Sequence, residues 1–524
     1  MTRSQHWDLG GTLSGRPSLH TLALAATPEP SSDRSGRPPH RGPLRKAPQP
    51  SGRANRSKDA AARIAAAATR MVTAAPPDRS VLSVLDRQLR RIVWRDHARP
   101  LEAALETLLD QQPPSGDLPH RLHHLGRWFA VHGEHPNAVR LGMLLLGLTG
   151  SGTPDDTAVL TTLGTFWAFS SDACAALVRS LADPQRPLFE LARQAEGWAR
   201  VDAVGRLGAV TDPEIREWLV RASCTGDVLD NYFALHAARV GGLAAVLARE
   251  ALDAETLGGA GRLLEALTDL DGPGPALSSY DEAVPALDGY LRHATTHGLT
   301  LQRLWSLLTI HRYLHASTLC QDHPEWRRVR RRYADLVAGP AARDLVLAGL
   351  ADEDPGTLRR AAWAARRMDL PARPALLRRV EVDPHDNTVW FLLVDDCPPT
   401  EIAAVVAAAE RLLPLQRLRT GPTTALGLGA EYEADRSLDL IVSRLGAYPG
   451  HGWPLIEAAL GNRTSRNRRM ALRALAGWPV EAMPAAARQV LLAAAAREPV
   501  PELRAELTRA AERLVPIPPA GREP

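Results

Sequence analysis

GWARVDAVGRLGAVTDPEIREWLVRASCTGDVLDNYFALHAARVGGLAAVL, residues 197–247, decides the fold. At its centre stands Thr211-Asp212-Pro213, a turn that starts a helix. The Asp212 carboxylate can accept from the unpaired amides of the first turn, and Pro213 suits a first helical position that needs no amide partner. Beyond it Ile215, Trp218, Leu219 and Ala222 recur at offsets of three, four and seven, which gathers them into one apolar stripe and leaves Glu214, Arg216 and Glu217 in water. A helix with such a stripe has to lie against another one.

The same grammar extends in both directions. Leu82, Leu85, Leu89 and Ile92 form a stripe, followed by Leu101 to Leu109, then Leu122, Leu125, Trp128 and Phe129. Thr153-Pro154-Asp155 and Asp354-Pro355 are further capped starts, the second leading into Leu358, Ala361, Ala362 and Ala365. Near the end Met470, Ala471, Ala474 and Leu475 are followed by Ala487, Leu491 and Ala494, then Leu503, Leu507 and Ala510. Aromatic residues make up only 5% of the 524 residues while apolar residues reach 45%, which favours close-packed helices over strands. An all-α chain of stacked helical hairpins is predicted.

TDPEIREWLVRA (211–222), EDPGTLRRAAWAARRM (353–368) and SRNRRMALRALAGW (465–478) resemble the HEAT repeat, a two-helix unit of about 40–47 residues with an Asp-Pro turn, an early arginine and paired alanines. GWARVDAVGRL and NYFALHAARVGGL look like stretches of uncharacterised bacterial helical-repeat proteins. The resemblance implies an α-solenoid of the HEAT/armadillo kind, of about ten or eleven hairpins, and brings no activity with it. The domains expected are a disordered leader at 1–78 and helical lobes at 79–270, 271–395 and 396–524. The leader is rich in Pro, Ser and Arg, with twelve Lys or Arg against five Asp or Glu, a local charge of +7. The whole chain carries +4, so the remainder is −3 and the global basicity belongs to the leader. Its reading is a tail or a misassigned start ahead of Met71, against a basic arm for acidic partners.

Motifs for catalysis fail. There is no GxxxxGK[ST], no GxGxxG after a strand, no GxSxG and no HExxH; GLTGSGT at 147–153 lacks the lysine that would meet phosphates. Cys174, Cys224, Cys320 and Cys397 are scattered without CxxC spacing, as a reducing compartment allows, and are read as buried thiols. No apolar run approaches the length needed to cross a bilayer. A cytoplasmic protein without membrane attachment is predicted. His120 with His124, and His311 with His315 ahead of Cys320 and His323, have helical ligand spacing, but surface histidines account for both groups, and neither a metal nor a cofactor is expected.

What remains is binding. Trp198, Arg200, Asp202, Arg206, Asn231, Tyr232 and His236 could converge on one wall of a helical stack, with Glu196–Arg200 and Asp202–Arg206 as helical ion pairs. Arg466, Asn467 and Arg469 within NRTSRNRR could grip an acidic motif, or could simply belong to a capped turn. The loop 419–436 is either a connector or an overhanging binding element, and 271–280 is read as a seam. The function predicted is a non-enzymatic scaffold holding a protein or peptide partner on its concave face. The alternative is a nucleic-acid-binding or DNA-modifying HEAT-like protein using Arg327, Arg328, Arg330, Arg331 and Arg332, flanked by Trp326 and Tyr333 as stacking surfaces.

Overall fold

Short polar side chains at the helix starts set the architecture. The Asp212 carboxylate accepts from the Glu214 amide, Asp253 from those of Glu255 and Thr256, Asp354 from Thr357 and Thr464 from Asn467, each at the N-terminus of a helix. The computed structural model describes residues 11–26, 57–73, 79–111, 117–150, 152–270, 272–318, 323–427 and 429–514. Among these residues all regular structure is helical, apart from an isolated parallel bridge between Ala425 and Thr464. None of the helices is long and apolar enough to cross a membrane.

The chain divides into two compact units, residues 1–298 with 309–331, and residues 299–308 with 332–524. In the first, helices pack on their next and next-but-one neighbours in sequence. Pro136–Thr149 lies on Ser170–Ser180, which lies on Trp198–Gly205, which lies on Ala234–Gly241. Ile215 and Leu219 are fully buried as the stripe requires, and each such side chain contributes about 1.5–3 kcal/mol. In the second unit Pro355–Arg367 packs on Asn387–Val394, and Glu433–Val442 on Ser465–Ala476.

Several arginines pair with carboxylates 27–29 residues away in sequence. Arg127 pairs with Asp156, Arg359 with Asp386 and Arg463 with Asp435, each at 2.8 Å, across separations of 29, 27 and 28 residues. Arg373 with Glu401 and Arg466 with Asp439 repeat the interval at 28 and 27. The Asp156, Asp386, Asp435 and Asp439 carboxylates are buried, with 3–7% side-chain exposure, and only Arg373–Glu401 is the kind of exposed pair that contributes about 0–1 kcal/mol.

Part of the leader is folded, contrary to the expectation of disorder through residue 78. Leu19–Ala26 packs on Leu118–His132 and Pro154–Gly164, and Ser57–Thr73 packs on Trp94–Asp110. Ala61, Ile64, Ala65 and Ala68 of the latter are buried with Leu82, Leu101 and Leu122 in one core. The Ser14 amide and hydroxyl donate to the Glu134 carboxylate at 2.7 and 2.6 Å, and the Leu19 amide donates to the Gly133 carbonyl at 3.0 Å. The other leader residues lie outside those described. The 271–280 stretch is not a seam either, since residues 272–280 sit inside the first unit and Gly274 comes so close to Asn231 that an added Cβ would stand 2.0 Å from its carbonyl oxygen.

This docking makes stability depend on pH. Burial pushes His20, His132 and His135 below the ordinary imidazole value, with His132 and Arg127 adding to the effect at His20. The unfolded chain therefore takes up protons first as pH falls below 6.5, and the stability that the neutral rings confer is complete above that value and lost below it. Asp156 acts in a different window. Burial raises it, but hydrogen bonds from His123, Thr153 and Arg127 outweigh burial and hold it at about 2, so its contribution is present above the ordinary value of 3.8 and lost as pH falls through about 2. Thermal unfolding of the full chain is expected to show a lower midpoint at pH 5.5 than at pH 7.5, with a smaller drop in a His20→Gln/His132→Gln variant. A drop of equal size in the variant would assign the effect elsewhere.

Candidate binding cleft

Gly197 begins the site. Its φ of 58° and ψ of −136° suit a residue without Cβ, and this bend lets the chain leave Ala195 and enter the Trp198–Gly205 helix. After Trp198–Gly205 and one further helix, Pro213–Arg221, the Thr225-Gly226-Asp227 turn is closed around a carboxylate. Asp230 is 3% exposed, and one of its oxygens accepts from the amides of Thr225, Gly226 and Asp227 at 2.7, 2.8 and 3.1 Å. Asp227 in turn accepts from the Leu229 amide at 2.8 Å, and the 3₁₀ turn Val228–Tyr232 follows. This reciprocal capping fixes the turn without help from outside.

Between these two segments lies an open cleft of about 270 Å³. Glu196, Asp227 and Leu229 contribute to its walls, together with Arg200, Asp230 and Phe233. Arg200 is buried and donates from Nε to the Ala195 carbonyl at 3.0 Å and from Nη1 to the Ser223 carbonyl at 3.3 Å. Burial raises the Asp230 carboxyl above its ordinary value despite the amides and the nearby guanidinium. Two aromatic residues are next in sequence to the lining residues Gly197 and Phe233. Trp198 and Tyr232 are 46% and 41% exposed, and their ring centroids are 4.7 Å apart at an interplanar angle of 57°. Val228, 77% exposed, stands on the same turn as Tyr232.

The aromatic residues belong to a row. Trp167, 66% exposed, precedes Ser170–Ser180; Trp198 opens Trp198–Gly205; Tyr232 precedes Ala234–Gly241. These three helices pack on one another in that order. Ser170 donates its hydroxyl to Asp202, tying the start of the first helix to the second. Exposed aromatic side chains thus stand before or at the start of three helices that pack in succession, and such residues carry most of the energy in protein interfaces.

The residues predicted for binding separate into three groups. Trp198 and Tyr232 are presented to solvent, and Arg200 lines the cleft. Asp202, Asn231 and His236 serve packing: Asp202 takes the Ser170 hydroxyl, Asn231 donates to Asp269 at 3.2 Å, and the His236 Nε2 meets the Leu207 carbonyl at 2.5 Å. Arg206 is exposed beyond the helix end. Arg200 donates to the Ala195 and Ser223 carbonyls, and Asp202 accepts from the Ser170 hydroxyl. Arg466, Asn467 and Arg469 belong to the second unit. Arg466 pairs with Asp439 at 2.6 Å, Asn467 is buried and donates to the Asp435 carbonyl and the Thr464 hydroxyl, both at 2.9 Å, and Arg469 is exposed.

Other features of the sequence find structural employment. The 419–436 loop is stitched to the following turn, with the Gly421 amide donating to the Gly461 carbonyl at 2.9 Å and the Thr423 amide to that of Arg463 at 3.2 Å. In the arginine-rich helix Trp326 is 9% and Tyr333 0% exposed, so the stacking faces that a nucleic-acid reading needs are turned inward. Arg328 pairs with Asp288 at 2.6 Å, while Arg327, Arg331 and Arg332 are exposed and Arg330 is half-buried. The rings of His311 and His315 lie 6.3 Å apart, Cys320 is outside the described residues, and the Nε2 atoms of His120 and His124 are 3.1 Å apart. Among the described residues no group of three His, Cys, Asp or Glu is placed to hold a metal ion. Cys174, Cys224 and Cys397 are buried free thiols, and burial pushes Cys174 up to about 12.

Gly197, Thr225, Asp227, Leu229, Asp230 and Phe233 enter the site without having been singled out for it. Their available signal was the TGDVLD stretch, in which a glycine turn and two aspartates three apart spell a capping box. No family model matches the chain, and no curated protein matches it.

Proposed function

We propose that this chain is a non-enzymatic binding scaffold of HEAT-like helical repeats, and that a protein or peptide partner docks on the aromatic row at the cleft beside Trp198 and Tyr232. The observation that carries the reading is the contact between two large aromatic side chains, each more than two-fifths exposed, on residues next in sequence to Gly197 and Phe233 of the cleft. A tryptophan and a tyrosine left half in water contribute little to folding, whereas covering them on association releases their apolar surface and fills the cleft. Backbone amides and carbonyls already engage Asp230 and Arg200, so the cleft is a preformed shape more than a set of reactive groups.

The test is recovery of a stoichiometric partner from the native host by the full chain and by a Trp198→Ala/Tyr232→Ala variant. Each aromatic anchor is expected to contribute about 2 kcal/mol, so the double variant should hold the partner at least about thirtyfold more weakly. Its unfolding midpoint should stay within a few degrees of the parent's. Equal recovery by both proteins would refute this location, and turnover of a substrate by the pure chain would refute the class.

A further inference from the structure

We propose that His120 and His124, one helical turn apart on Leu118–His132, form a two-imidazole site for a late first-row divalent ion such as nickel or zinc. Residues four apart on a helix are neighbours on its surface, and here the two rings turn toward one another. Their Nε2 atoms are 3.1 Å apart, with ring centroids at 4.5 Å and planes at 84°. Two imidazole nitrogens bound to one tetrahedral ion at about 2.0–2.1 Å stand about 3.3 Å from each other, and two bound at a right angle stand about 2.9 Å apart. The pair lies between these values, so an ion enters with a shift of about 0.2 Å either way. The ring that donates gives up its Nε2 proton for the tautomer protonated at Nδ1, and both Nε2 lone pairs then face the ion.

Helical spacing alone does not produce this convergence. His311 and His315 have the same interval, and their ring centroids are 6.3 Å apart. His123 is buried and committed elsewhere, with Nε2 3.2 Å from Asp156 and Nδ1 3.3 Å from the Thr149 hydroxyl. The helix under the pair is stiff, since Leu122 and Leu125 are fully buried and Gly126 approaches the backbone of Pro136–Thr149 so closely that an added Cβ would stand 3.1 Å from the Gly142 carbonyl oxygen. Ligands carried by such an element keep their geometry without help from a loop. Arg121, next in sequence to His120, is engaged by Asp117 at 2.5 Å, which offsets its repulsion of a divalent ion. Imidazole suits nickel, copper and zinc, whereas magnesium and calcium take oxygen ligands. Two protein ligands leave the other positions to water, so the affinity is modest.

The experiment is calorimetric titration of the tag-free full-length chain with nickel, zinc and magnesium chlorides in a buffer that does not bind metals. Saturable binding of one nickel or zinc ion is expected with a Kd of about 100 μM or tighter, and none of magnesium at about 10 mM. His120→Asn and His124→Asn should each weaken that site at least about tenfold, while His315→Asn, at the pair whose rings stand apart, leaves it unchanged. His120 is exposed, so its replacement leaves the core intact. The thermal midpoint of the parent should rise with nickel and that of His120→Asn should not. Absence of one-to-one nickel binding at millimolar ion, an unchanged affinity in either variant of the pair, or an equal loss in His315→Asn would each overturn the assignment.

Discussion

Replacing Arg468 with methionine is expected to destabilise the second unit by about 3–5 kcal/mol, the cost of stranding a buried charge. Arg468 and Glu498 are 1% and 0% exposed at their side chains and form a two-point pair, Nε to Oε2 at 2.6 Å and Nη2 to Oε1 at 2.9 Å. The remaining guanidinium donors reach the Asn462 carbonyl at 2.9 Å, the Arg463 carbonyl at 3.2 Å and the Thr423 carbonyl at 3.0 Å. One side chain thus joins the end of the 419–436 loop, the turn before Ser465–Ala476 and the segment after Ala487–Arg497. Taking away the arginine leaves the Glu498 carboxyl buried without its partner and the Asn462 and Thr423 carbonyls without that donor, while the Arg463 carbonyl keeps the Thr423 amide and hydroxyl. Denaturant unfolding should show a large fall in the midpoint, and hydrogen exchange at 421–427 should quicken. The double change Arg468→Met/Glu498→Leu is expected to recover much of the loss, because two apolar side chains of similar volume leave no charge behind. A double variant as unstable as the single would show that the carbonyl contacts, and not the ion pair, dominate.

One substitution at two glycines should give opposite results. At Gly142, in Pro136–Thr149, an added Cβ would stand 2.4 Å from the Ala130 amide nitrogen and 2.7 Å from the Gly126 carbonyl oxygen. Both atoms are backbone of the neighbouring Leu118–His132 helix, so neither can swing aside, and the two helices would have to separate. Gly142→Ala is expected to cost about 2–4 kcal/mol in the first unit. At Gly205, the last residue of Trp198–Gly205, a Cβ would meet nothing within 4 Å. Gly205→Ala is expected to stabilise by about 0.4–1 kcal/mol, since alanine loses less backbone freedom on folding. Equilibrium unfolding of the two variants beside the parent measures both. A neutral Gly142→Ala would mean that the two helices do not touch backbone to backbone.

Local chemistry determined a good deal from the sequence alone. Asp212, Thr153 and Asp354, each followed by proline, cap helices where the text of the chain places them, because a cap needs only its own next three residues. The apolar stripes gave the buried faces, Ile215 and Leu219 among them. The 57–73 helix was legible in the same way, through Ala61, Ile64, Ala65 and Ala68 at offsets of three, four and seven, although the average composition of 1–78 predicts no core. Only packing decided which polar side chains remain available. A period of 3.6 residues names the face of a helix but not the helix that covers it, so nothing nearby in sequence tells that Ser170 will claim Asp202, that Leu207 will claim His236, or that Trp326 and Tyr333 will turn inward. Nor does sequence spacing reveal that Glu498 will meet Arg468 from 30 residues away and take it out of solvent. The cleft has the same origin: its two walls are 30 residues apart, and they face each other because the layers of helices stack, bringing Trp198 against Tyr232.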